Sequence, residues 1–224
     1  TGVGNVFMGE LAGTAITGGN NTAVGSQALS TATSAADNVA IGHDALRLNT
    51  ASNNTAVGSN AMDTTTTGDA NVAVGKSALQ AHTEGRFNTG CGYEALYALT
   101  TASFNTALGQ AALTAVTTGG TNIGVGTGAG SGIVDGSGNT CIGVEAGQNN
   151  VAVTDGTNNI FIGYQARANA TDAQKQIVLG RQVTCSGNSN FTFGDGATDS
   201  NIAFGATSIT APSDERYKEE IASS

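Results

Sequence analysis

The sequence has little charge and few bulky side chains. Charged residues make up 11% of its 224 residues, and it contains one Pro, no Trp, 4 Tyr and 7 Phe. Disordered chains are usually rich in charge and Pro, so this composition argues against disorder. No apolar run approaches the roughly 18 residues that a membrane-spanning helix needs, so membrane insertion is not expected. The chain begins with Thr and shows no signal peptide, which suggests a piece of a longer protein.

Cationic side chains are also scarce, with 8 Lys and Arg against 17 Asp and Glu, for a net charge of −9. Binding to phosphate groups needs clustered Lys and Arg, so nucleic acid is not an expected partner. The 3 Cys have no metal-ligand spacing, and no pair of carboxylates recurs as a glycosidase would require. We therefore expect no metal site, no cofactor and no enzyme.

What the sequence has instead is glycine and a repeat. Gly supplies 33 residues, about twice its usual share. A pattern of Asn, any residue, a small residue, an apolar residue and Gly starts at residues 5, 21, 38, 54, 71, 88, 105, 122, 139, 159, 176, 190 and 201, mostly 17 residues apart. We number each copy from its first residue, so that Gly is position 5 in all 13 copies and Asn is position 1 in 12. The structural repeat residues that we single out are Asn38, Gly42, Asn71, Gly75, Asn105, Gly109, Asn139 and Gly143.

Each copy has the pattern of a short β-strand. Position 2 is mostly Thr, Val or Ile, position 4 is always apolar, and position 3 is usually Ala or Gly. Side chains alternate across a strand, so positions 2 and 4 share one face while positions 1 and 3 share the other. We expect one face to fill an interior, and the face of Asn and small residues to lie close against a second surface. Position 8, usually Ala, indicates a further buried site in each copy.

Two columns of the repeat have physical explanations. Gly at position 5 suits a bend with positive φ, or a place where a Cβ atom would clash. Stacked Asn amides at position 1 can hydrogen-bond to the copies above and below, as a ladder. Phe87 and Phe104 both precede the Asn of successive copies, so we expect their rings to stack.

A 17-residue period with one or two short strands predicts an all-β fold, a parallel β-solenoid of about 13 coils. Successive coils would stack at the strand spacing of about 4.8 Å. Helical repeats need about 33 residues or more per unit and do not fit. Ala, Val and Gly bury little area, while ordering the backbone costs about 1–2 kcal/mol per residue. A single chain is therefore expected to be marginally stable, and chains are expected to associate.

The repeat, over residues 5 to about 206, is similar to the head repeats of trimeric autotransporter adhesins, and bacteriophage tail fibres share it. Those heads are left-handed parallel β-rolls, with three rolls packed around one axis. The resemblance therefore implies a left-handed β-roll and a homotrimer.

The C-terminal sequence Ser213-Asp-Glu-Arg-Tyr-Lys218-Glu-Glu-Ile221 resembles the opening of the endosialidase-type intramolecular chaperone that follows phage tail fibres. In that family this Ser and this Lys form a self-cleavage dyad, so the resemblance implies Ser213 as nucleophile and Lys218 as its base. Only 11 residues follow Ser213, so cleavage is not expected in this chain. The alternative is an acidic surface helix with Ser213 as its N-cap.

Position 6 varies freely between copies, which indicates an outward column. His43, Tyr93, Tyr164 and Arg181 occupy it and are the candidate receptor-binding residues. The tyrosine rings can stack on sugars; the alternative is that all four are ordinary exposed side chains. His82 is also expected on the surface.

We divide the chain into a β-roll fibre at 1–184, shortened coils or a cap at 185–210, and the beginning of a truncated chaperone domain at 211–224. The predicted function is structural and adhesive: a virion tail fibre, outside the cell, that contacts other tail proteins and binds a host cell-surface glycan or protein receptor. One alternative is the head of a trimeric adhesin on a bacterial surface. Another is a tailspike that degrades polysaccharide.

Overall fold

A computed structural model describes residues 2–31, 33–148, 153–196 and 199–206. These residues contain no α-helix and form one sheet of thirteen strands, which neighbour one another in chain order. The strands are Val6–Met8 (β1), Thr22–Val24 (β2), Val39–Ile41 (β3), Thr55–Val57 (β4), Val72–Val74 (β5), Thr89–Cys91 (β6), Thr106–Leu108 (β7), Ile123–Val125 (β8), Thr140–Ile142 (β9), Ile160–Ile162 (β10), Ile177–Gly180 (β11), Asn190–Gly194 (β12) and Ser200–Ala203 (β13).

Strands β1 to β12 pair in parallel through eleven successive pairings. Equivalent positions of successive copies lie side by side, as Ala23 does with Ala40. The backbone also hydrogen-bonds from coil to coil outside the strands; the Leu29 N–H donates to the Ala45 carbonyl at 3.0 Å. The predicted parallel β-solenoid is confirmed, with one strand per turn and a rod of about 50 Å at the usual strand spacing.

The last copy of the repeat does not form a coil. Strand β13 runs antiparallel to β12, with Thr192 opposite Asn201. The prediction of about 13 coils is therefore wrong, and the solenoid has about 11 turns. The copies at 190 and 201 are only 11 residues apart, too few to travel around a coil, so the chain returns in a hairpin. This strand covers the hydrogen-bonding edge of β12.

Positions 1 and 3 of the strands face the interior. Position 3 is buried in every copy from Ala23 to Thr192, whereas positions 2 and 4 face outward and are half-buried or exposed. The expectation that the face of Asn and small residues lies against a second surface is therefore wrong, because that face is the inside of the rod. Small side chains are needed there because the opposite wall is close. A Cβ atom on Gly90 would lie 3.0 Å from Leu79 Cδ1 and 3.2 Å from the Ala95 carbonyl oxygen.

Position 9 of one coil and position 3 of the next compensate one another in size. Each Leu at position 9 is followed one coil later by Ala or Gly at position 3. The larger Cys141 and Phe161 at position 3 lie beside Gly147, which takes the place of Leu at position 9. A Cβ atom on Gly147 would lie 2.6 Å from Cys141 Sγ and 3.1 Å from Phe161 Cδ2. The larger side chains at position 3 thus take the space that a Leu at position 9 would occupy, as close packing requires.

The turns use left-handed backbone at residues that are not glycine. Position 7, position 9 and the residue before each Asn have φ of about +50° to +65° in most coils. This conformation costs an ordinary residue roughly 1–2 kcal/mol. At position 9 it accompanies complete burial of the side chain. The residues concerned at position 9 include Leu29, Leu46, Leu79, Leu96 and Leu113, with φ of 51° to 54°.

The Asn column forms the predicted ladder inside the rod. Asn88 Oδ1 accepts hydrogen bonds from the Asn105 backbone N–H at 2.9 Å and from Asn105 Nδ2 at 3.2 Å. Asn105 Nδ2 also donates across the coil to the Gly119 carbonyl at 3.1 Å. These bonds satisfy the buried amides, which allows a polar residue to line the interior. Equivalent bonds are made by Asn38, Asn71 and Asn139.

Both predicted reasons for Gly at position 5 are confirmed. Gly75 has φ of +132°, and a Cβ atom there would lie 2.5 Å from the Gly92 carbonyl oxygen of the next coil. The backbone therefore excludes other residues both by conformation and by contact. Positive φ and a clash of the same kind are found at Gly42, Gly109 and Gly143.

Position 12 is an additional inward column, and it contains His82. Leu99 and Val116 fill it in later coils, whereas Asn49, Thr65 and His82 occupy it in three successive coils, all fully buried. His82 Nδ1 lies 3.2 Å from Thr65 Oγ1, and burial lowers the pKa of His82 to about 4. The expectation that His82 lies on the surface is wrong. Position 12 holds no constant residue type, so its inward direction could not be predicted from the repeat.

Candidate functional site

Position 6 forms an exposed column along one edge of the rod. The four predicted receptor-binding residues, His43, Tyr93, Tyr164 and Arg181, all lie in it and are all exposed. Tyr164 and Arg181 lie on adjacent coils, whereas Tyr93 precedes Tyr164 by four coils, about 19 Å at the strand spacing. The structure therefore places all four residues on one surface but does not gather them into one site.

Two residues of this column are paired with carboxylates. His43 Nδ1 lies 3.0 Å from Asp44 Oδ2, and Arg181 Nε donates to Asp195 Oδ1 at 2.9 Å. His43 and Arg181 keep more than half of their side-chain surface exposed, 57% and 62%. Such exposed pairs add little stability, so both side chains remain available for contacts with a partner.

Tyr93 belongs to a group that the sequence analysis did not identify, namely Tyr93, Glu94 and Tyr97, which we call the tyrosine cluster. A side-chain hydrogen bond to Glu94, and then the charge of Glu94, raise the pKa of Tyr93; Tyr97 adds a smaller effect in the same direction. Tyr93 is 44% exposed and Tyr97 is 40% exposed. Glu94 between them has left-handed backbone, with φ of 55°. Residue spacing alone does not reveal this turn.

The outward face of the strands is a second candidate surface. We call the side chains at positions 2 and 4 of β1 to β12 the apolar strip. Position 4 holds only apolar residues, position 2 holds Val, Ile, Thr or Phe, and none of positions 2 to 5 is charged. Ile41, Val74 and Leu108 are 39%, 37% and 51% exposed. A contiguous apolar surface along the whole rod is typical of an interaction surface.

An aromatic pair lies on the edge beside the strip. The rings of Phe87 and Phe104 stack with centroids 5.4 Å apart and planes inclined by 18°. The predicted stacking is confirmed. Both side chains are more than half exposed, so the pair is part of the outer surface and not of the core.

The described parts of the chain have three further features that bear on chemistry: metal-ligating groups, thiols and a cavity. No group of three or more His, Cys, Asp or Glu residues in them could hold a metal ion. The three cysteines are free, and burial raises the pKa of Cys141 to about 12, which makes its thiol unreactive. A cavity of about 340 Å³ near β12 and β13 is lined by apolar residues such as Ile177, Phe191 and Phe204. None of the residues described belongs to a helix long and apolar enough to cross a membrane.

Ser213 and Lys218 lie outside the described residues, as do all residues from 207 to 224. Their role as a self-cleavage dyad stays a prediction from the resemblance.

Comparison of the chain with known proteins gives no match to a protein-family model, to a curated protein or to a solved structure. The repeat and the two surfaces, the position-6 column and the apolar strip, are therefore the features that indicate a function.

Proposed function

We propose that this chain is a segment of a homotrimeric adhesive fibre, with the apolar strips of three left-handed β-rolls packed around a common axis. The observation that carries the proposal is the apolar strip itself, which continues without a charged residue from β1 to β12. Leaving it in water is unfavourable by roughly 25 cal/mol for each Å² of apolar surface.

The shape of the strip suits identical partners. It is two side chains wide, about 7 Å, and about 50 Å long. Identical chains share one coil period, so in parallel packing each coil meets the equivalent coil of its neighbours along the entire rod. Three narrow strips around one axis bury all of them together.

The remaining surface then carries the adhesive role. The position-6 column, with His43, Tyr93, Tyr164 and Arg181, would contact a glycan or protein receptor on a host cell. The resemblance of residues 213–221 to a chaperone opening favours a virion tail fibre, attached to other tail proteins. The repeat by itself fits the head of a bacterial surface adhesin equally well, which is the second candidate.

The mass of the assembled particle tests the architecture. Light scattering after gel filtration should give about 66 kDa, three times the 22.0 kDa of one chain. Leu108→Glu places a charge in the apolar strip, so it should shift the mass toward one chain. The matched control is Gln110→Glu, which adds the same charge at position 6 of the same coil and should leave the mass unchanged. A wild-type mass of one chain would contradict the trimer.

Adhesion tests the role. Labelled protein should bind intact host bacteria, if it is a tail fibre, or host tissue surfaces, if it is a bacterial adhesin. Incubation with capsular polysaccharide tests the tailspike alternative. Release of oligosaccharides would favour that alternative over a purely adhesive fibre.

A further inference from the structure

The aromatic pair, Phe87 and Phe104, is unusual in its backbone and in its surroundings. Both residues have left-handed backbone, with φ of 58° and 64°, which bulky side chains avoid. Both side chains are also more than half exposed, at 51% and 57%. We call the residue before position 1 position 0; in the other coils it is mostly Asn, Asp, Gly or Ser. Two stacked phenylalanines at such a place add little to the stability of a single chain, so they indicate a contact with another surface.

Position 0 and position 6 lie on opposite edges of the apolar strip, one before each strand and one after it. Strips that pack in parallel around a three-fold axis are joined head to tail, so the position-0 edge of each chain faces the position-6 edge of the next chain. Equivalent coils lie at the same height in such a trimer. The side chains that face one another therefore come from the same coil, and the sequence shows whether they match.

An acidic side chain on one edge faces a basic side chain on the other in the coils that start at residues 38 and 71. Asp37 at position 0 faces His43 at position 6, and Asp69, beside position 0, faces Lys76 at position 6. Asp37, His43 and Lys76 are exposed, and Asp69 keeps 36% of its side-chain surface exposed. Opposite charges at equal heights favour this alignment of neighbouring chains.

The coil that starts at residue 88 has two matched pairs. Phe87 faces Tyr93, and Arg86, beside position 0, faces Glu94, beside position 6. Arg86 Nε lies 3.3 Å from Asp69 Oδ1 of its own chain, yet 57% of the Arg86 side chain is exposed. The guanidinium of Arg has five N–H donors, so it can also bind a second carboxylate. An aromatic contact and an ion pair are thus both available in the coil where the aromatic pair begins.

One coil has like charges on its two edges, Lys175 and Arg181. Arg181 Nε donates to Asp195 Oδ1 at 2.9 Å, so a carboxylate already accompanies this cation. The coil therefore does not oppose the alignment with an uncompensated pair of charges.

The small area of the apolar strip also calls for contacts beyond it. The strip, about 7 Å by 50 Å, offers roughly 350 Å² to two neighbours, whereas a standard interface takes about 800 Å² from each partner. The two edges are the nearest surface that can supply the remainder. Phe87 and Phe104 are the largest apolar side chains at position 0.

We propose that the aromatic pair packs on the position-6 edge of a second copy of this chain, with the Phe87 ring on Tyr93 of the partner subunit and Arg86 paired with Glu94 of the partner subunit. We call this line of contact the seam; the inference rests on the proposed trimer. The seam fixes the relative height of neighbouring coils, which the apolar strip alone does not, because position 4 is apolar in every coil. Position 6 forms the outer rim of the seam, where tyrosine hydroxyls and polar side chains stay in water for the proposed receptor.

Cysteine cross-linking tests the seam without changing the aromatic pair. Thr121→Cys and Thr127→Cys place thiols at positions 0 and 6 of the coil after Phe104, where both threonines are exposed. Cys91→Val in the same chain leaves only the buried natural cysteines. The strand between residues 121 and 127 separates them by more than about 10 Å within one chain, whereas a disulfide needs Cα atoms within about 7 Å. Disulfides between these two sites therefore form only between chains.

Mild oxidation should convert this variant into covalent trimers on a denaturing gel without reductant. The matched control pairs Thr121→Cys with Ser131→Cys, again with Cys91→Val. The Ala129 carbonyl oxygen lies 2.9 Å from the Cβ position of Gly124, so this part of the coil lies behind the strand and away from the seam. The control should give no covalent trimer.

Removal of the rings tests the aromatic contact itself. The double variant Phe87→Ala and Phe104→Ala should raise the dissociation constant of the trimer at least about tenfold. Light scattering over a dilution series, at a urea concentration that half dissociates the wild type, measures the change. Tyr97→Ala removes a ring that is 40% exposed at position 10, outside the seam, and should leave the constant unchanged. Circular dichroism verifies that each variant is folded.

The mass of the wild-type particle separates failure of the inference from failure of the proposed function. If the wild type is a trimer but residues 121 and 127 do not cross-link, or if Tyr97→Ala weakens the trimer as much as loss of the aromatic pair, the seam is wrong and the trimer stands. A wild-type mass other than three chains rejects the trimer, and the seam with it.

Discussion

Some of the polar residues buried in the narrow interior have all their hydrogen-bond partners, and others do not. The Asn residues at position 1 have hydrogen-bond partners for both amide atoms, along the rod and across the coil. His82 has a partner at Nδ1, but its Nε2 atom is buried without one among the described residues. A satisfied buried amide supports the fold, whereas an unsatisfied ring nitrogen costs free energy. Two predictions at the scale of single residues follow from this difference.

Asn105→Ala should lower the free energy of unfolding by about 3 kcal/mol or more. The change leaves the Gly119 carbonyl and the Asn122 backbone N–H without the partners that Asn105 gives them at 3.1 and 2.9 Å. Each unsatisfied buried group costs about 1–3 kcal/mol. Urea unfolding measures the change. Thr106→Ala, at the exposed position 2 of the same strand, is the control, and equal losses in both variants would contradict a stabilising ladder.

Stability should fall as the pH decreases from 6.5 to about 4. In the unfolded chain His82 takes up a proton near its ordinary pKa of 6.5, whereas burial lowers its pKa to about 4 in the folded protein. The unfolded state therefore binds more protons in this window, and the free energy of unfolding drops by up to about 1.4 kcal/mol per pH unit. Above pH 6.5 the His82 ring is neutral in both states, so His82 contributes no change of stability with pH there.

His82→Leu, which copies Leu99 of the next coil, should largely remove this dependence between pH 6.5 and 4. His43→Gln changes an exposed His and should retain it. Thermal unfolding across the pH range measures both. A wild-type slope that survives in His82→Leu would assign the effect to other groups.

At the scale of the structural element, each coil consists of a three-residue strand followed by turns that contain left-handed backbone at residues other than glycine. Gly at position 5 is the expected residue for its backbone, but left-handed Ala and Leu residues are not. Ala111, for example, has φ of 53° at position 7, while its neighbour Ala112 has ordinary backbone and is fully buried. Stacking forces these residues into a conformation that each would avoid alone.

Ala111→Gly should stabilise the protein by about 0.5–1 kcal/mol. Glycine relieves roughly 1–2 kcal/mol of left-handed strain, and the larger entropy of the unfolded chain offsets about 0.4–1 kcal/mol of that gain. Ala112→Gly, one residue later, has no strain to relieve and should destabilise by about 1 kcal/mol. Denaturant unfolding compares the two variants. Changes of the same sign in both would contradict the role assigned to the turn.

At the scale of the molecule the rod has an interior and two kinds of outer surface, the apolar strip and the polar turns that include the position-6 column. Large side chains such as Ile41 and Leu108 lie on the outward strand face, while the inside is mostly Ala, Leu and Asn. An isolated chain therefore buries only part of its apolar surface, and the proposed association of copies would cover the remainder.

Association should make thermal stability depend on concentration. If folded chains assemble, the midpoint of wild-type unfolding rises when the protein concentration is raised about a hundredfold, because mass action favours the assembled folded state. Leu108→Glu should unfold at a midpoint that does not change with concentration, and Gln110→Glu should behave as wild type. A wild-type midpoint that is constant across the range would argue against coupling between folding and assembly.

Much of the fold and part of the site follow from the repeat. The strands at each Asn, the parallel stacking, the Asn ladder and the exposure of position 6 all depend on a pattern that recurs every coil. The tyrosine cluster and the inward position of His82 do not, because each depends on how one turn is folded in three dimensions. The antiparallel return of β13 was also missed, since the copy starting at Asn201 has the right residues but too short a spacing.

The sequence by itself determined the period, the strand positions and the need for Gly at position 5. A motif repeated along the chain stacks with equivalent residues side by side, so each position has the same surroundings in every coil. Only the tertiary structure decided which strand face is inside. By residue type the apolar positions 2 and 4 were expected to fill the interior, and the face of Asn and small residues to lie against a second surface. The coil is too narrow for that arrangement, and stacking supplies the hydrogen bonds that buried Asn requires. The small and amide side chains therefore lie inside, and the apolar strip lies outside.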